Sequence, residues 1–237
     1  MQVSGHTEAL TEFAPGLWLA AGPVVDGAMG FRFPTRMAVL SLLDGGLLVW
    51  SPVALTPGLR QAVDAIGPVR QIVAPNGLHF MFLGDWADAY PEAAVIVAPG
   101  VRGKVPDLRA ATEFGAEAPE GWAGAIDHVL IETKIMTEAV LFQRHSGTVL
   151  FTDLLQQHRP GWFRGWRGLV ARLDGMVGAA PAVPRKFRVA LRDRAAARNA
   201  VRQILNWRTK RVVMAHGAPV TRDAPAFLAR AFRWLRP

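Results

Sequence analysis

Short apolar runs and a helical segment alternate along the first part of the chain. Apolar runs at 37–43 and 47–50 flank the sequence Asp-Gly-Gly at 44–46, a pattern typical of a β-hairpin. Thr56 then precedes a proline, and apolar residues recur at helical spacing until Gly67 interrupts them. The pattern predicts two paired strands followed by a helix that Thr56 caps.

The next segment alternates between strand and helix signals. Apolar runs at 71–74 and 94–97 predict buried strands, and the residues between them predict a helix over 79–90. Such alternation is typical of βαβ units. Gly, Pro and Glu are frequent in 100–125, which predicts a loop with one short helix.

The remaining pattern predicts three strands, then helices around a last strand. The strands cover 129–131, 139–142 and 148–151, and a hairpin at 145–147 joins the last two. Helical patterns begin at 161 and cover 193–207 and 225–235, with a strand at 211–215. The pattern as a whole predicts one α/β domain over 1–237, and 237 residues suit such a domain.

Three polar residues stand at the ends of predicted strands or just past them: His79, Asp153 and His216. In α/β sheets the carboxyl ends of strands converge on one edge, so these side chains are predicted to form one site. Two imidazoles and a carboxylate are enough to hold a divalent ion with open positions. Such an ion would acidify bound water and make a nucleophile near neutral pH.

Each of the three residues has another interpretation when it is taken alone. His79 could point to solvent from the start of a helix, and Asp153 could cap a helix that begins at Leu154. His216 could be a buried histidine that is bonded to backbone. Their common position at strand ends favours one joint site.

The segments Leu150-Phe151-Thr152-Asp153 and Val213-Met214-Ala215-His216-Gly217 resemble the metallo-β-lactamase fold. In that family one strand ends in a metal-bridging aspartate and a later strand ends in a His-Gly metal ligand. The resemblance covers nearly the whole chain. It implies an α/β fold of four layers, an αββα sandwich.

The hallmark of that family departs from this sequence. The family has His-x-His-x-Asp-His where this chain reads Asn76-Gly77-Leu78-His79, so His79 falls one place after the second histidine. The next family histidine falls near Lys134. The resemblance therefore implies that one metal site is lost, with Asn76, Leu78 and Lys134 in place of ligands, and that the Lys134 ammonium could supply positive charge instead of an ion.

The resemblance implies a reduced site with a single metal. His79, Asp153 and His216 are its predicted ligands, and Asp153 and Lys134 are the predicted catalytic residues. The segment 75–79, Asp85-Trp86 and 146–148 resemble a branch of the superfamily known mainly as a domain of unknown function.

Two functions remain open at this point. The first is a metal-dependent hydrolase in which zinc, iron or manganese provides a bound hydroxide that attacks an ester, amide, thioester or phosphoester. The alternative is a protein that has lost the metal and binds a small anion or a protein partner. Glu138 and Asp85 could act as acid or base but are expected at the surface, and His128, His145 and His158 are expected in loops or hairpins.

Charge divides the chain into two unlike parts. Residues 1–158 carry 9 Lys+Arg and 16 Asp+Glu, whereas 159–237 carry 18 Lys+Arg and 3 Asp+Glu. We favour internal pairing over an anionic partner. The arginines at 194, 198 and 202 could grip phosphates or form a solvated face, and no nucleic-acid-binding module is recognised.

The aromatic and basic segment 159–178 also suits the plane of a membrane interface. The interpretation we favour is that its apolar face packs onto the sheet. The chain has no cysteine, which excludes disulfides, thiolate ligands and a cysteine nucleophile. The first residues do not resemble a signal peptide and no apolar stretch nears the ~20 residues of a membrane span, so a cytoplasmic location is the expectation.

Overall fold

Two β-sheets lie face to face in the computed structural model, which describes residues 3–4, 9–108, 111–115 and 117–237. The first sheet has the order β1-β3-β4-β5-β6-β7-β8, with β2 paired to β3. Its strands are β1 (Val3–Ser4), β2 (Thr11–Ala14), β3 (Leu17–Asp26), β4 (Arg32–Ser41), β5 (Leu47–Trp50), β6 (Val69–Ala74), β7 (Ala94–Val97) and β8 (Thr112–Glu113).

The second sheet has the order β12-β11-β10-β9. Its strands are β9 (Ile126–Glu132), β10 (Thr137–Gln143), β11 (Thr148–Gln156) and β12 (Arg211–His216). The α-helices are α1 (Pro57–Asp64), α2 (Leu83–Ala89), α3 (Gly165–Asp174), α4 (Arg185–Val189), α5 (Arg194–Asn206) and α6 (Ala224–Phe232). Short 3₁₀ turns cover Ala28–Gly30, Arg102–Lys104 and Arg233–Leu235.

The strands of the second sheet are buried on both faces. Along β10, Ala139 and Leu141 join the core between the sheets, while Val140 and Phe142 join the core under α5 and α6. Strands covered on both faces read as continuous apolar runs, which is why the sequence shows no alternation there. Helices α1 and α2 cover the first sheet and α5 and α6 the second, which confirms the four-layer αββα sandwich.

The local signals for the first hairpin and helix are confirmed. Gly45 has φ +80°, and the Gly46 N–H donates to the Asp44 carboxylate at 2.9 Å, so the Asp-Gly-Gly turn closes β4 onto β5. Thr56 Oγ1 accepts from the Leu59 N–H at 3.2 Å and caps α1.

The helix predicted over 79–90 begins later than predicted. The Asn76 side-chain oxygen accepts from the backbone N–H groups of Leu78, at 2.8 Å, and of His79, at 3.1 Å. This turn holds the chain out of a helix, and α2 covers only Leu83–Ala89. His79 therefore lies in a loop directly after β6.

The strand predicted at 148–151 is longer than the pattern indicated. Strand β11 continues to Gln156, and its parallel pairing with β12 shifts register between Phe151 and Gln156. Asp153 thus lies in an irregular part of a strand, which rules out the alternative that it caps a helix. Bulges of this kind often redirect a side chain toward a site.

The basic C-terminal part folds largely as predicted. Asp193 caps α5 by accepting from Ala195 N, at 2.7 Å, and Ala196 N, at 3.0 Å. Two members of the arginine stripe contact the chain end, since Arg194 lies over the Trp234 ring and Arg198 donates to the Leu235 carbonyl. Within the described residues, no helix has the length and apolar character needed to cross a membrane.

Candidate metal centre

Asp153 is positioned by a buried carboxylate in the neighbouring strand. Glu138 on β10 accepts three consecutive backbone N–H groups of the β11 bulge, those of Thr152 at 2.8 Å, Asp153 at 2.8 Å and Leu154 at 3.0 Å. Backbone donors displaced from sheet pairing need other acceptors when buried. Glu138 supplies them and so fixes the backbone that carries Asp153.

His79 in the loop after β6, Asp153 in the irregular part of β11 and His216 at the end of β12 converge on one cluster. The two histidine Nε2 atoms lie 3.2 Å apart. Asp153 Oδ2 lies 3.2 Å from His79 Nε2, and Oδ1 lies 3.4 Å from His216 Nε2. The three side chains are almost fully buried, with exposed fractions of 8%, 7% and 5% for His79, Asp153 and His216.

Both histidines are held through the ring nitrogen that faces away from the cluster. His216 Nδ1 lies 2.7 Å from the Pro34 carbonyl oxygen, which can only accept, so Nδ1 carries the proton. His79 Nδ1 lies 2.8 Å from Ser51 Oγ, whose hydroxyl donates to the Arg36 carbonyl at 3.1 Å. The Ser51 oxygen then accepts from His79 Nδ1. In the neutral rings, both Nε2 lone pairs point into the cluster.

The Asp153 carboxylate is oriented by two amide groups. Asn76 Nδ2 donates to Oδ2 at 2.8 Å and Gln156 Nε2 donates to Oδ1 at 2.9 Å. Burial raises the pKa of Asp153, but His79 and His216 outweigh that effect and hold the pKa well below its usual value. Asp153 is therefore a carboxylate over the physiological pH range.

The donor set fits a divalent metal ion. Two lone pairs and a carboxylate that face one another repel unless a proton or a cation lies among them. A tetrahedral ion with ligand bonds of 2.0–2.1 Å sets adjacent ligand atoms about 3.3 Å apart, and the three distances here are 3.2, 3.2 and 3.4 Å. Hydrogen bonds on the outer ring nitrogens and on the carboxylate are also typical of metal sites.

The expectation that Glu138 lies at the surface is wrong. Its side chain is fully buried, and burial together with the Asp153 charge raises its pKa to about 7, although the Thr152 and Asp153 N–H groups oppose this rise. The sequence contained a signal, because Glu138 is the one charged residue in an apolar run of a strand buried on both faces. Asp85, by contrast, is exposed on α2 as expected.

Lys134 lies apart from these contacts. It is exposed in the turn between β9 and β10, and its backbone N–H donates to the Ala190 carbonyl at 2.7 Å. No described contact joins it to His79, Asp153 or His216, so its catalytic role stays a prediction. Asn76 is buried, and its side chain bonds both the His79 N–H and the Asp153 carboxylate. Leu78 is 49% exposed.

An aromatic wall borders the cluster on the β12 side. The Phe33 ring lies 5.4 Å from the His216 ring, and the His158 ring lies 6.1 Å from it and 4.9 Å from Phe163. His158 lies in the connection after β11, in agreement with the expectation of a loop, but it is buried, and burial lowers its pKa to about 3. Its Nε2 is buried without a hydrogen-bond partner among the described residues.

Arg36 joins the two sheets beside the site. Its guanidinium donates to the carbonyl oxygens of Met214 and Gly217, which flank His216. Ser51, whose Oγ accepts the hydrogen bond from His79 Nδ1, has φ +52°, a conformation that non-glycine residues rarely adopt. Backbone strain of this kind is tolerated where neighbouring contacts hold it. Neither residue had a signal in the sequence pattern.

Solved structures with the same arrangement of elements cover almost the whole chain. The metallo-β-lactamase FIM-1 from Pseudomonas aeruginosa in its mono-zinc form matches with TM-score 0.61 and 14% identity over 99% of this chain and 98% of that one. A metallo-β-lactamase from Erythrobacter litoralis matches with TM-score 0.60 and 16% identity, over 98% of this chain and 100% of that one. The metal-soaked Flv1 flavodiiron core from Synechocystis sp. PCC6803 matches with TM-score 0.64 and 10% identity, over 98% of this chain and 62% of that one.

This chain therefore has the metallo-β-lactamase fold. Within that fold, a family model described as "Domain of unknown function (DUF4336)" matches residues 25–103, in agreement with the branch that the residues around His79 resemble. No curated protein matches the sequence.

Proposed function

We propose that this protein is a metal-dependent hydrolase with a single divalent ion held by His79, Asp153 and His216. The observation that carries the proposal is the convergence of two histidine Nε2 atoms and one carboxylate at separations of 3.2 to 3.4 Å. Zinc, iron and manganese are all compatible with two imidazoles and a carboxylate.

The names of the structural neighbours support the same chemistry. One is a mono-zinc form of a metallo-β-lactamase and another is a metal-soaked flavodiiron core. When bound, the ion would polarise a substrate carbonyl or phosphoryl oxygen and lower the pKa of a bound water. The proposed substrate class is an ester, amide, thioester or phosphoester.

Residues around the three proposed ligands hold them in position. Asn76 and Gln156 hold the Asp153 carboxylate, while Ser51 and the Pro34 carbonyl keep the Nε2 lone pairs of His79 and His216 directed inward. Such outer contacts fix ligand geometry and tautomer.

Two further groups shape the surroundings. Glu138 keeps the β11 bulge in place, and the Phe33 and Phe163 rings limit the access of water on one side. A drier site strengthens the electrostatic interactions within it.

Metal content tests the proposal. The purified protein, freed of metal with a chelator and then titrated with zinc, iron(II) or manganese, is compared with the double variant Asp153→Ala/His216→Ala. The matched control is Asp85→Ala/His145→Ala, which removes one exposed aspartate and one exposed histidine. We expect one ion per chain in the wild type and in the control, and none in the ligand variant.

Hydrolysis is measured on the same three proteins with activated carboxyl and phosphoryl esters. We expect turnover by the metal-loaded wild type and the control only. A wild type that retains no more metal than Asp153→Ala/His216→Ala would overturn the proposal and favour a binding function without metal.

A further inference from the structure

Helix α3 and the turn that precedes it present large apolar side chains to solvent. Trp162, Trp166, Leu169, Val170 and Leu173, here called the α3 face, are 40%, 49%, 62%, 42% and 58% exposed. The spacing of Trp166, Leu169, Val170 and Leu173 places them on one side of α3, and Trp162 lies in the turn before it. Exposed apolar clusters of this kind mark interaction surfaces more often than isolated exposed residues do.

The residues of this segment that are buried against the fold are different from those of the α3 face. Phe163, Ala171 and Met176 are buried and pack against Phe31 and Phe33. The expectation that the apolar face of 159–178 packs onto the sheet is therefore correct for these residues only. The side chains of the α3 face remain largely in solvent, although Trp162 Nε1 donates to the Arg32 carbonyl at 2.8 Å and the Trp166 ring contacts Phe31 edge-on.

The rim of the α3 face is basic. Arg159, Arg164, Arg167 and Arg172 lie within the segment, and residues 159–173 contain no acidic residue. Arg164 and Arg172 are exposed, and no acidic partner is found for them in the described part of the chain. The nearest acid in sequence, Asp174, pairs with Lys186 at 3.6 Å.

A cavity of about 610 Å³ opens beside the start of α3. Arg32, Arg164 and Arg167 line it together with Trp162 and Phe163. The Arg167 guanidinium packs over the Trp166 ring and donates to the Met29 carbonyl at 2.8 Å, which orders one wall. Arginines beside aromatic rings suit a phosphate whose attached chain is apolar.

We propose that the α3 face docks onto the surface of an anionic phospholipid bilayer, with lipid phosphates at the arginine rim and cavity. Tryptophan and leucine side chains would enter the boundary between headgroups and acyl chains, and the arginines would contact the headgroups. A symmetric pairing of two copies is disfavoured because it would bring one basic rim against another without acidic residues to neutralise it.

Vesicle flotation at low salt tests this proposal. Wild-type protein is mixed with vesicles of phosphatidylcholine alone or of phosphatidylcholine with phosphatidylglycerol. We expect flotation with the mixed vesicles, little with phosphatidylcholine alone, and weaker binding as salt rises. The measurement does not depend on the metal site, so it can succeed or fail independently of the proposed hydrolase activity.

Two double variants separate the apolar and the basic contributions. Leu169→Ser/Leu173→Ser is expected to lower the partition coefficient roughly tenfold or more. Arg164→Ala/Arg172→Ala is expected to lower it roughly twenty- to thirtyfold. The matched controls are Val189→Ser on α4, where the side chain is 82% exposed, and Arg202→Ala on α5, and both should bind as wild type does.

Three outcomes would overturn the proposal. The first is no flotation with either vesicle, and the second is equal flotation with both. The third is flotation that the α3 variants leave unchanged while their thermal unfolding matches wild type. Sedimentation of the same proteins tests whether a second copy of the chain covers the α3 face instead. A dimer that is dissociated only by Leu169→Ser/Leu173→Ser would assign the α3 face to a second copy.

Discussion

The Nε2 atoms of His79 and His216 lie 3.2 Å apart, and each ring is anchored through its other nitrogen. Neither ring can turn away without losing its bond to Ser51 or to the Pro34 carbonyl. The two rings are therefore ordered by the protein itself, which would lower the ordering cost of binding an ion.

Asn76 and Gln156 should set the metal affinity without touching the ion. Asn76→Ala and Gln156→Ala each remove one amide donor from the Asp153 carboxylate. We expect each to weaken metal binding roughly 10- to 100-fold, measured by competition with a chelating dye. Gln157→Ala, at a neighbouring side chain that bonds the Gly178 carbonyl, serves as control. Equal affinities in all four proteins would contradict the assigned role of the two amides.

Glu138 should contribute strongly to stability. Glu138→Gln places an amide NH₂ among three backbone N–H donors, so at least one buried donor loses its acceptor. We expect the free energy of unfolding to fall by about 1–3 kcal/mol, measured by urea denaturation. The control Glu132→Gln changes an exposed residue on β9 and should stay near wild type. If the two variants unfold alike, Glu138 does not hold the β11 bulge.

His158 should make the free energy of unfolding depend on pH. Burial lowers its pKa to about 3 in the folded protein from 6.5 when unfolded, so between these values only the unfolded chain takes up the proton. Stability is therefore present above pH 6.5 and is lost as the pH falls toward 3, by up to ~1.4 kcal/mol per pH unit. His158→Phe should reduce this slope, as seen in denaturant unfolding at pH 7 and pH 5.

The exposed His145 supplies the comparison for His158. His145→Phe should retain the wild-type loss of stability between the two pH values. A His158→Phe protein whose slope equals that of wild type and of His145→Phe would show that other groups govern acid sensitivity.

A side chain at Gly217 should destabilise the protein. Its φ is +156°, and a Cβ there would lie 2.9 Å from Met214 Sδ and 3.2 Å from Gln157 N. Gly217→Ala is expected to lower the melting temperature and to disturb His216, at a cost of about 1–3 kcal/mol. Gly58→Ala in α1 meets no atom within 4 Å and should stabilise slightly. Calorimetry of both variants checks the contrast, which fails if both melt as wild type does.

The sequence was informative where local chemistry decides the structure. The Asp-Gly-Gly turn, the Thr56 cap and the apolar runs each act within a few residues, and the strands and helices they predicted are confirmed with shifted ends. The start of α2 and the end of β11 were predicted wrongly. The end of β11 depends on Glu138, whose partners lie on the neighbouring strand. The start of α2 depends on the Asn76 side chain, which accepts from the Leu78 N–H two residues on, a bond that the pattern of apolar positions does not show.

The site shows the same division. From the sequence by itself, His79, Asp153 and His216 could be singled out near the ends of three predicted strands, because strand period and turn residues are local properties. The placement holds for His216, whereas β11 continues three residues past Asp153 and His79 lies in the loop after β6. Only the tertiary structure decided that Ser51, Pro34, Asn76, Glu138 and Gln156 surround them, and that the outer residues of α3 remain in solvent. These contacts join residues far apart in the chain, and the hydrophobic pattern does not distinguish a covered apolar face from an exposed one.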